Sequence, residues 1–386
     1  MSRVTIFIES SLAKTGGVER WTIEIAKRLF AFKHEVQVVG LRVMDHERSM
    51  CPKFSFNYLE LPVLRIPHLH VLLPSPRLLV QFLKIIRSSD VIVFVPCYSI
   101  FDAMVMFLDK IVGRPLIAVF QNPPLIEDLK VRNLAFFCLL KMLGNKALSA
   151  CQVLNPHHYR VLRKLGVKAK IRIIPQGVDA RKFAHNPALH RHESFRILFV
   201  GRLCKQKGVD RLLEIVKEVN KRSSLSGKVQ FMIAGPVDAE ALPILKELYR
   251  ERNVVYFGDI KYDEMPSIYS EGDVLILPSR YEGFPLTALE AQAAGLPLIL
   301  SDLPEVRWIY DKVSNMHVIR LPPQDNLQAF VEAVMEFYNE WLKGEQYYAE
   351  LREKCKENAT KFDWNNIVGD INVLILDSLR WRCRHG

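Results

Sequence analysis

Residues 196–213 read Arg196-Ile197-Leu198-Phe199-Val200-Gly201-Arg202-Leu203-Cys204-Lys205-Gln206-Lys207-Gly208-Val209-Asp210-Arg211-Leu212-Leu213. Ile197 to Val200 are an unbroken apolar run, as expected of a strand covered on both faces. Val209, Leu212, Leu213 and Val216 then recur at helical spacing. Strand, glycine-bounded loop and helix are the opening of a βαβ unit. The same alternation continues downstream, with strands expected at 229–234, 254–257, 274–277 and 298–300. Upstream it gives strands at 4–8, 36–39, 91–95, 116–120 and 171–174. The fold expected is therefore α/β, with two Rossmann-like, doubly wound domains. In the first helix Val18, Trp21, Ile25, Ala26 and Leu29 form the inward stripe, and Glu19, Glu24, Lys27 and Arg28 the outward one.

Pro175-Gln176-Gly177-Val178-Asp179 ends one strand with proline and glycine, which places the domain joint there. The expected division is 1–178, then 179–364, then a C-terminal helix over 365–386 with Ile367, Ile371, Leu374 and Ile375 on one face. That last helix comes too late to be an ordinary final unit and is expected to cross back to the first domain.

At 386 residues the chain exceeds what one core usually serves. Its 49% hydrophobic and 25% charged residues are a globular composition. Cys51, Cys97, Cys138, Cys151, Cys204, Cys355 and Cys383 are odd in number, scattered and never spaced Cys-x-x-Cys, which argues against a disulfide framework or a zinc site. The chain enters directly on a strand, and no apolar run approaches the ~20 residues that span a bilayer, so a cytoplasmic protein is expected, free or peripheral on the membrane face. Lys and Arg outnumber Asp and Glu by 53 to 42, a net charge of +11 that favours phosphorylated substrates, an anionic membrane face or nucleic acid. No RNA-binding signature or aromatic-basic platform supports nucleic acid. The apolar and basic stretches 132–146 and 72–86 are compatible with an anionic membrane surface, and equally with core-facing helices that have a basic outer edge. His157 and His158 are adjacent, point apart and have no third ligand, so they are read as non-metal.

Two constellations carry chemistry. The loop after residue 200 is cationic and lies at the carboxyl edge of a parallel sheet, where such sheets take ligands. Arg202 offers a planar fork and Lys207 a mobile point charge, a pair suited to a diphosphate. The second string is Leu277-Pro278-Ser279-Arg280-Tyr281-Glu282-Gly283-Phe284-Pro285-Leu286-Thr287-Ala288-Leu289-Glu290-Ala291. Pro285 fits the first turn of a helix, and the backbone N–H groups of Phe284, Leu286 and Thr287 around it form an anion site for a distal phosphate. Glu282 in the loop and Glu290 in the helix are placed to bracket a ligand, because a carboxylate accepts both hydroxyls of a vicinal diol.

These motifs, with Gly16-Gly17-Val18-Glu19-Arg20, the Pro175 to Asp179 joint with Phe183, and Ser301-Asp302-Leu303-Pro304-Glu305, resemble the retaining GT-B glycosyltransferases of family GT4, which include phosphatidylinositol mannosyltransferases and sucrose synthases. The resemblance spans nearly the whole chain. It implies two domains facing across a cleft, the first binding acceptor and the second a nucleotide-sugar donor of UDP or GDP type. It implies that Gly201, Arg202 and Lys207 meet the donor diphosphate, Glu290 the ribose and Glu282 the transferred sugar. By the same resemblance Tyr256-Phe257-Gly258-Asp259 holds the base, Gly283 belongs to the donor loop, and Gly16 and Gly17 close over the donor. One departure stands out: Gln121, in Val119-Phe120-Gln121-Asn122-Pro123-Pro124, occupies the family's histidine position near the anomeric centre and the sugar's 6-hydroxyl, where glutamine can hydrogen-bond but carries no charge and relays no proton. Gln176 likewise replaces a common asparagine.

The expected activity is hexose transfer with retention to a saccharide or lipid-linked acceptor. No Asp-x-Asp motif occurs, so no metal and no cofactor are expected. The alternative is a catalytically impaired homologue that binds nucleotide sugars or a membrane surface. A dinucleotide oxidoreductase is disfavoured because the Gly-x-Gly-x-x-Gly fingerprint is missing from both halves.

Overall fold

In the computed structural model, the structure describes residues 1–12, 16–43, 53–66, 71–73, 76–123, 131–143, 148–184, 193–311 and 313–385. The chain divides into two compact units, one of residues 1–176 with 364–386, the other of residues 177–363.

Unit 1 is built on β1 (Arg3–Phe7), β2 (Glu35–Val43), β3 (Asn57–Ile66), β4 (Val71–Leu73), β5 (Val91–Phe94), β6 (Leu116–Phe120), β7 (Ala150–Val153) and β8 (Lys170–Ile173). Their spatial order is β4-β3-β2-β1-β5-β6-β7-β8, parallel throughout except that β4 runs antiparallel to β3. The order reverses between β1 and β5, the switch point where parallel sheets place ligands. One face packs a core with Phe82, Phe101, Phe120, Phe136 and Phe137. The other face packs Trp21, Ile25 and Leu29 of the first helix with Trp364, Ile367, Val368, Ile371, Leu374 and Ile375 of the helix Trp364–His385. The last helix is thus part of unit 1. His34 Nε2 meets Asn372 Oδ1 at 2.8 Å, and Asp377 pairs with Lys170 and Arg172 of β8 at 2.9 and 2.7 Å.

Unit 2 holds β9 (Phe195–Val200), β10 (Val229–Ala234), β11 (Val254–Tyr256), β12 (Val274–Leu277), β13 (Leu298–Leu300) and β14 (Ile319–Arg320), ordered β11-β10-β9-β12-β13-β14 and all parallel. This is the Rossmann order 3-2-1-4-5-6, with its switch point between β9 and β12.

The first helix, Gly17–Leu29, corrects one expectation. Glu19 is buried rather than outward, and a Cβ on Gly16 would stand 2.3 Å from its carboxylate. A carboxylate in the first turn is attracted back to the helix N-terminus, and only glycine leaves it room. Among the described residues no helix is long and apolar enough to cross a membrane.

Candidate functional site

Unit 2 places two ion pairs, Lys207–Glu282 and Arg280–Asp210, beside its switch point. Gly208 closes the loop after β9 and caps the helix Val209–Lys221 with φ 73°. A Cβ there would lie 2.0 Å from the carbonyl oxygen of Pro278, so glycine is what lets the β9 loop touch the β12 loop. The same logic holds at Gly235, where a Cβ would come 2.1 Å from the Gly201 carbonyl.

The two loops are then knitted by side chains. Lys207 Nζ donates to both carboxylate oxygens of Glu282, at 2.8 and 2.7 Å. Ser279 Oγ donates to Glu282 Oε1 at 2.7 Å. Glu282 is only 3% exposed, so its charge is compensated in a largely dry setting. Arg280, quoted in the sequence string but given no role there, clamps Asp210 through two bonds of 2.7 and 2.6 Å. Its Nη1 also donates to the Lys205 carbonyl, and its amide to Gln206. These bonds hold the Asp210 carboxyl below its ordinary range. Arg211 Nη1 adds a 3.3 Å bond to the Pro278 carbonyl. Asp210 was legible only as a first-turn acid, since its partner lies 70 residues away.

Arg202 is exposed, its side chain 56% accessible, with Asp238 at 3.9 Å, whereas Lys207 is drawn to Glu282. Pro285 is the residue before the helix Leu286–Ala293 rather than its first turn. The Leu286 amide donates to the Phe284 carbonyl at 2.9 Å. Gly283 lies between Glu282 and the buried Phe284, and Thr287 opens the helix after Leu286. Glu290, buried in that helix, accepts from Tyr269 Oη at 2.8 Å. Its partner Tyr269 had no signal in the sequence. Gly258, φ 83°, follows β11 and its carbonyl accepts from Gly235. Gly201 (φ 147°) ends β9. Burial and the neighbouring Glu305 and Glu282 push the Tyr281 hydroxyl well up.

In unit 1 the residues that follow β6 and β8 form an uncharged pair, whereas Glu9, Glu19 and Asp102 gather around Cys97 beyond β1 and β5. Gln121 follows β6 and accepts at Oε1 from Gln176 Nε2 at 2.9 Å. Gln152 of β7 donates to the Ile174 carbonyl at 3.0 Å. Gly16 and Gly17 stand at the start of the first helix. Asp102 is fully buried, accepts from the amides of Cys97 and Ser99, and is raised by burial to about 7. His157 and His158 open the helix Pro156–Lys164; His158 is buried and lowered to about 3, so its imidazole is neutral. Cys97, Cys138, Cys151, Cys204 and Cys355 are free thiols, while Cys51 lies outside the described residues, as do 144–146, 74, 75 and Pro124 from the stretches singled out above.

Sequence comparison gives two family matches: "Glycosyl transferases group 1" over residues 180–362 and "Glycosyltransferase Family 4" over residues 15–182. The chain is 28% identical, over 74% of its length and 80% of the relative's, to an uncharacterized 41.2 kDa protein in the cps region of Klebsiella pneumoniae. It is 35% identical to the UDP-Gal:alpha-D-GlcNAc-diphosphoundecaprenol alpha-1,3-galactosyltransferase of Escherichia coli, over 35% of this chain and 37% of that one. Among solved structures, Anabaena HepE in complex with UDP and glucose superposes with a TM-score of 0.75 at 16% identity, covering 97% of this chain and 100% of HepE. The two family matches meet at the joint between the units and together run from residue 15 to residue 362, and the chain belongs to the family 4 glycosyltransferases of GT-B fold.

Proposed function

We propose that the protein moves a hexose from a UDP- or GDP-sugar to a saccharide or lipid-linked acceptor, with retention at the anomeric carbon and without a divalent metal. The observation that carries this reading is the Lys207–Glu282–Ser279 cluster at the unit 2 switch point. An ammonium has three donors, and Glu282 takes two of them, which leaves the third for a phosphate oxygen. Lys207 can therefore serve the diphosphate while still holding the carboxylate that faces the sugar. Arg202, unburied and only loosely paired, supplies the second positive group. Glu290, oriented by Tyr269, takes the ribose hydroxyls.

In the step proposed, the bond from the anomeric carbon to the diphosphate oxygen breaks, and the acceptor oxygen bonds to that carbon from the same face. The acceptor proton passes to the departing phosphate oxygen. Fixed positive groups lower the barrier by meeting charge as it develops on the leaving group. The E. coli relative's UDP-Gal and diphosphoundecaprenol-linked substrate supports a UDP-sugar with a lipid-linked acceptor. The exposed Ile100, Phe107 and Ile111 on one helix of unit 1, and Leu134 and Met142 on another, beside Lys110 and Lys141, support work at an anionic membrane face.

The test is a thermal-shift panel of UDP, GDP, ADP and their sugar conjugates on the wild type and Glu290→Ala. A ligand at 100 times its Kd adds about 2.7 kcal/mol of stability. One nucleotide class is expected to stabilise the wild type and not the variant, and EDTA to leave turnover intact. A response to none of them favours a homologue impaired at the neutral Gln121.

A further inference from the structure

We propose that unit 2 carries a second ligand site, at the amino edge of its sheet, for a saccharide that bears a carboxylate or phosphate group. A cleft of about 710 Å³ opens there, within the size range of small-molecule sites. Ser194 and Asn253, which line it, directly precede β9 and β11, and Val229 and Gln230 open β10. The Lys207 and Glu282 cluster lies beyond the opposite ends of these strands. β9 is six residues long, so roughly 20 Å separates the two edges. The cleft is therefore a place of its own and not an extension of the donor site.

Its free charge is positive and its floor is fixed. Arg250 and Arg252 are exposed on the turn before β11, and among the described residues neither guanidinium meets a carboxylate. Glu251 between them is engaged, its Oε2 accepting from Asn220 Nδ2 at 2.7 Å. Asn220 and Asn253 bond each other through both amide ends, at 3.1 and 2.8 Å. Asn253 Nδ2 also donates to the Val229 carbonyl at 3.1 Å, so the network ties the helix Val209–Lys221 to β10 and β11. Ser226 is exposed and Gln230 half-buried, and neither side chain is engaged among the described residues. That inventory selects the ligand. Two guanidiniums, each a planar fork of donors, suit carboxylate or phosphate oxygens. A hydroxyl and a carboxamide both donate and accept, which suits the hydroxyls of a sugar ring. Among the described residues no aromatic side chain lines the cleft, so a nucleobase has nothing to stack on. Val229 is the one apolar side chain lining it and is only 2% exposed, so a lipid chain finds no wall to bury against.

Calorimetry on the full chain tests this, with UDP and GDP in excess so that the strand-end site is filled. The probes are trigalacturonate and glucose 1-phosphate as anionic sugars, maltotriose as a neutral sugar and inorganic phosphate as a bare anion. The variants are Arg250→Ala, Arg252→Ala and Ser226→Tyr, the last filling the cleft without changing its charge. A control, Lys261→Ala with Lys354→Ala, removes two positive charges of unit 2 that do not line the cleft. At least one anionic sugar is expected to bind the wild type more tightly than maltotriose or phosphate does. Each arginine variant should weaken that binding on the order of tenfold, the scale of one lost charged hydrogen bond, and Ser226→Tyr should do the same. The lysine control should change it by less than about twofold, since screening weakens distant charges. An unchanged Tm in every variant separates loss of binding from loss of fold. Binding of neither anionic sugar, phosphate binding as tightly as the sugars, or an equal loss in the lysine control overturns the proposal. Wild-type affinity in Ser226→Tyr also overturns it, by reducing the arginines to a bare charged surface. The nucleotide-sugar reading is judged separately, because a chain that binds neither UDP nor GDP still answers to these probes.

Discussion

The two units share a strand order through their first six parallel strands and differ in what they place at the carboxyl edge. In unit 2 the loops after β9 and β12 carry Lys207, Glu282 and Arg280, and the helix after the first of them carries Asp210, four charges in two ion pairs. In unit 1 the loops after β6 and β8 carry Gln121 and Gln176, an uncharged amide pair. One topology thus carries ion-paired side chains in one unit and an uncharged amide pair in the other. The topology fixes where the loops converge, and the residues on them fix the chemistry.

The largest effect is expected where charge is concentrated. Lys207→Ala should lower kcat with the best nucleotide-sugar on the order of 10²- to 10³-fold, as loss of a fixed group facing developing negative charge usually does. Gln121→Ala should cost about tenfold, the scale of one lost hydrogen-bonded contact. Steady-state kinetics on both variants checks the contrast, and the reverse ranking would break it.

A pH experiment sharpens the contrast with opposite signs. Arg280 depresses the Asp210 carboxyl, so its stabilisation is present above the ordinary aspartate value and is lost as pH falls through the folded one. The Tm advantage of the wild type over Asp210→Asn should therefore be greatest at neutral pH and vanish in acid. Burial raises Asp102 to about 7, so the folded state favours its protonated form. The wild type should accordingly lose Tm relative to Asp102→Asn as pH rises from roughly 4, the unfolded value, towards neutrality. Shifts of a few degrees are expected in each series, read by differential scanning fluorimetry.

The smallest effect concerns the exposed apolar side chains Phe107 and Ile111 of unit 1. Phe107→Ser with Ile111→Ser should reduce flotation with anionic liposomes by several-fold and leave UDP binding unchanged, since each removes one apolar anchor. Equal flotation of wild type and variant would remove the membrane from the account of unit 1.

What could be read in the sequence divides along the same line. Strands at 116–120, 229–234, 274–277 and 298–300 coincide with β6, β10, β12 and β13, because uninterrupted Val, Ile and Leu runs are the mark of a parallel strand buried on both faces. β3 went unread because Pro62 interrupts it and Glu60 and Arg65 break its apolar run. β7 is four residues long and contains Gln152, whose polarity is explained only by the Ile174 carbonyl it meets. β14, two residues long, offers no period to detect. In the candidate site, Glu282 and Glu290 stood out through the motif around them. Tyr269, Asp210 and the Gln121–Gln176 bond did not, since each depends on a partner 21 to 70 residues distant that only tertiary packing brings near.

The helix Trp364–His385 has a consequence for biosynthesis. It contributes Trp364, Ile367, Val368, Ile371, Leu374 and Ile375 to the core of a unit whose other residues end at 176. During translation, unit 2 emerges whole and can close its sheet while unit 1 still lacks one layer over β1, β5 and β6. The first-made half of the protein is therefore the last to finish folding, and until then the apolar face around Trp21 and Ile25 is a natural client surface for chaperones.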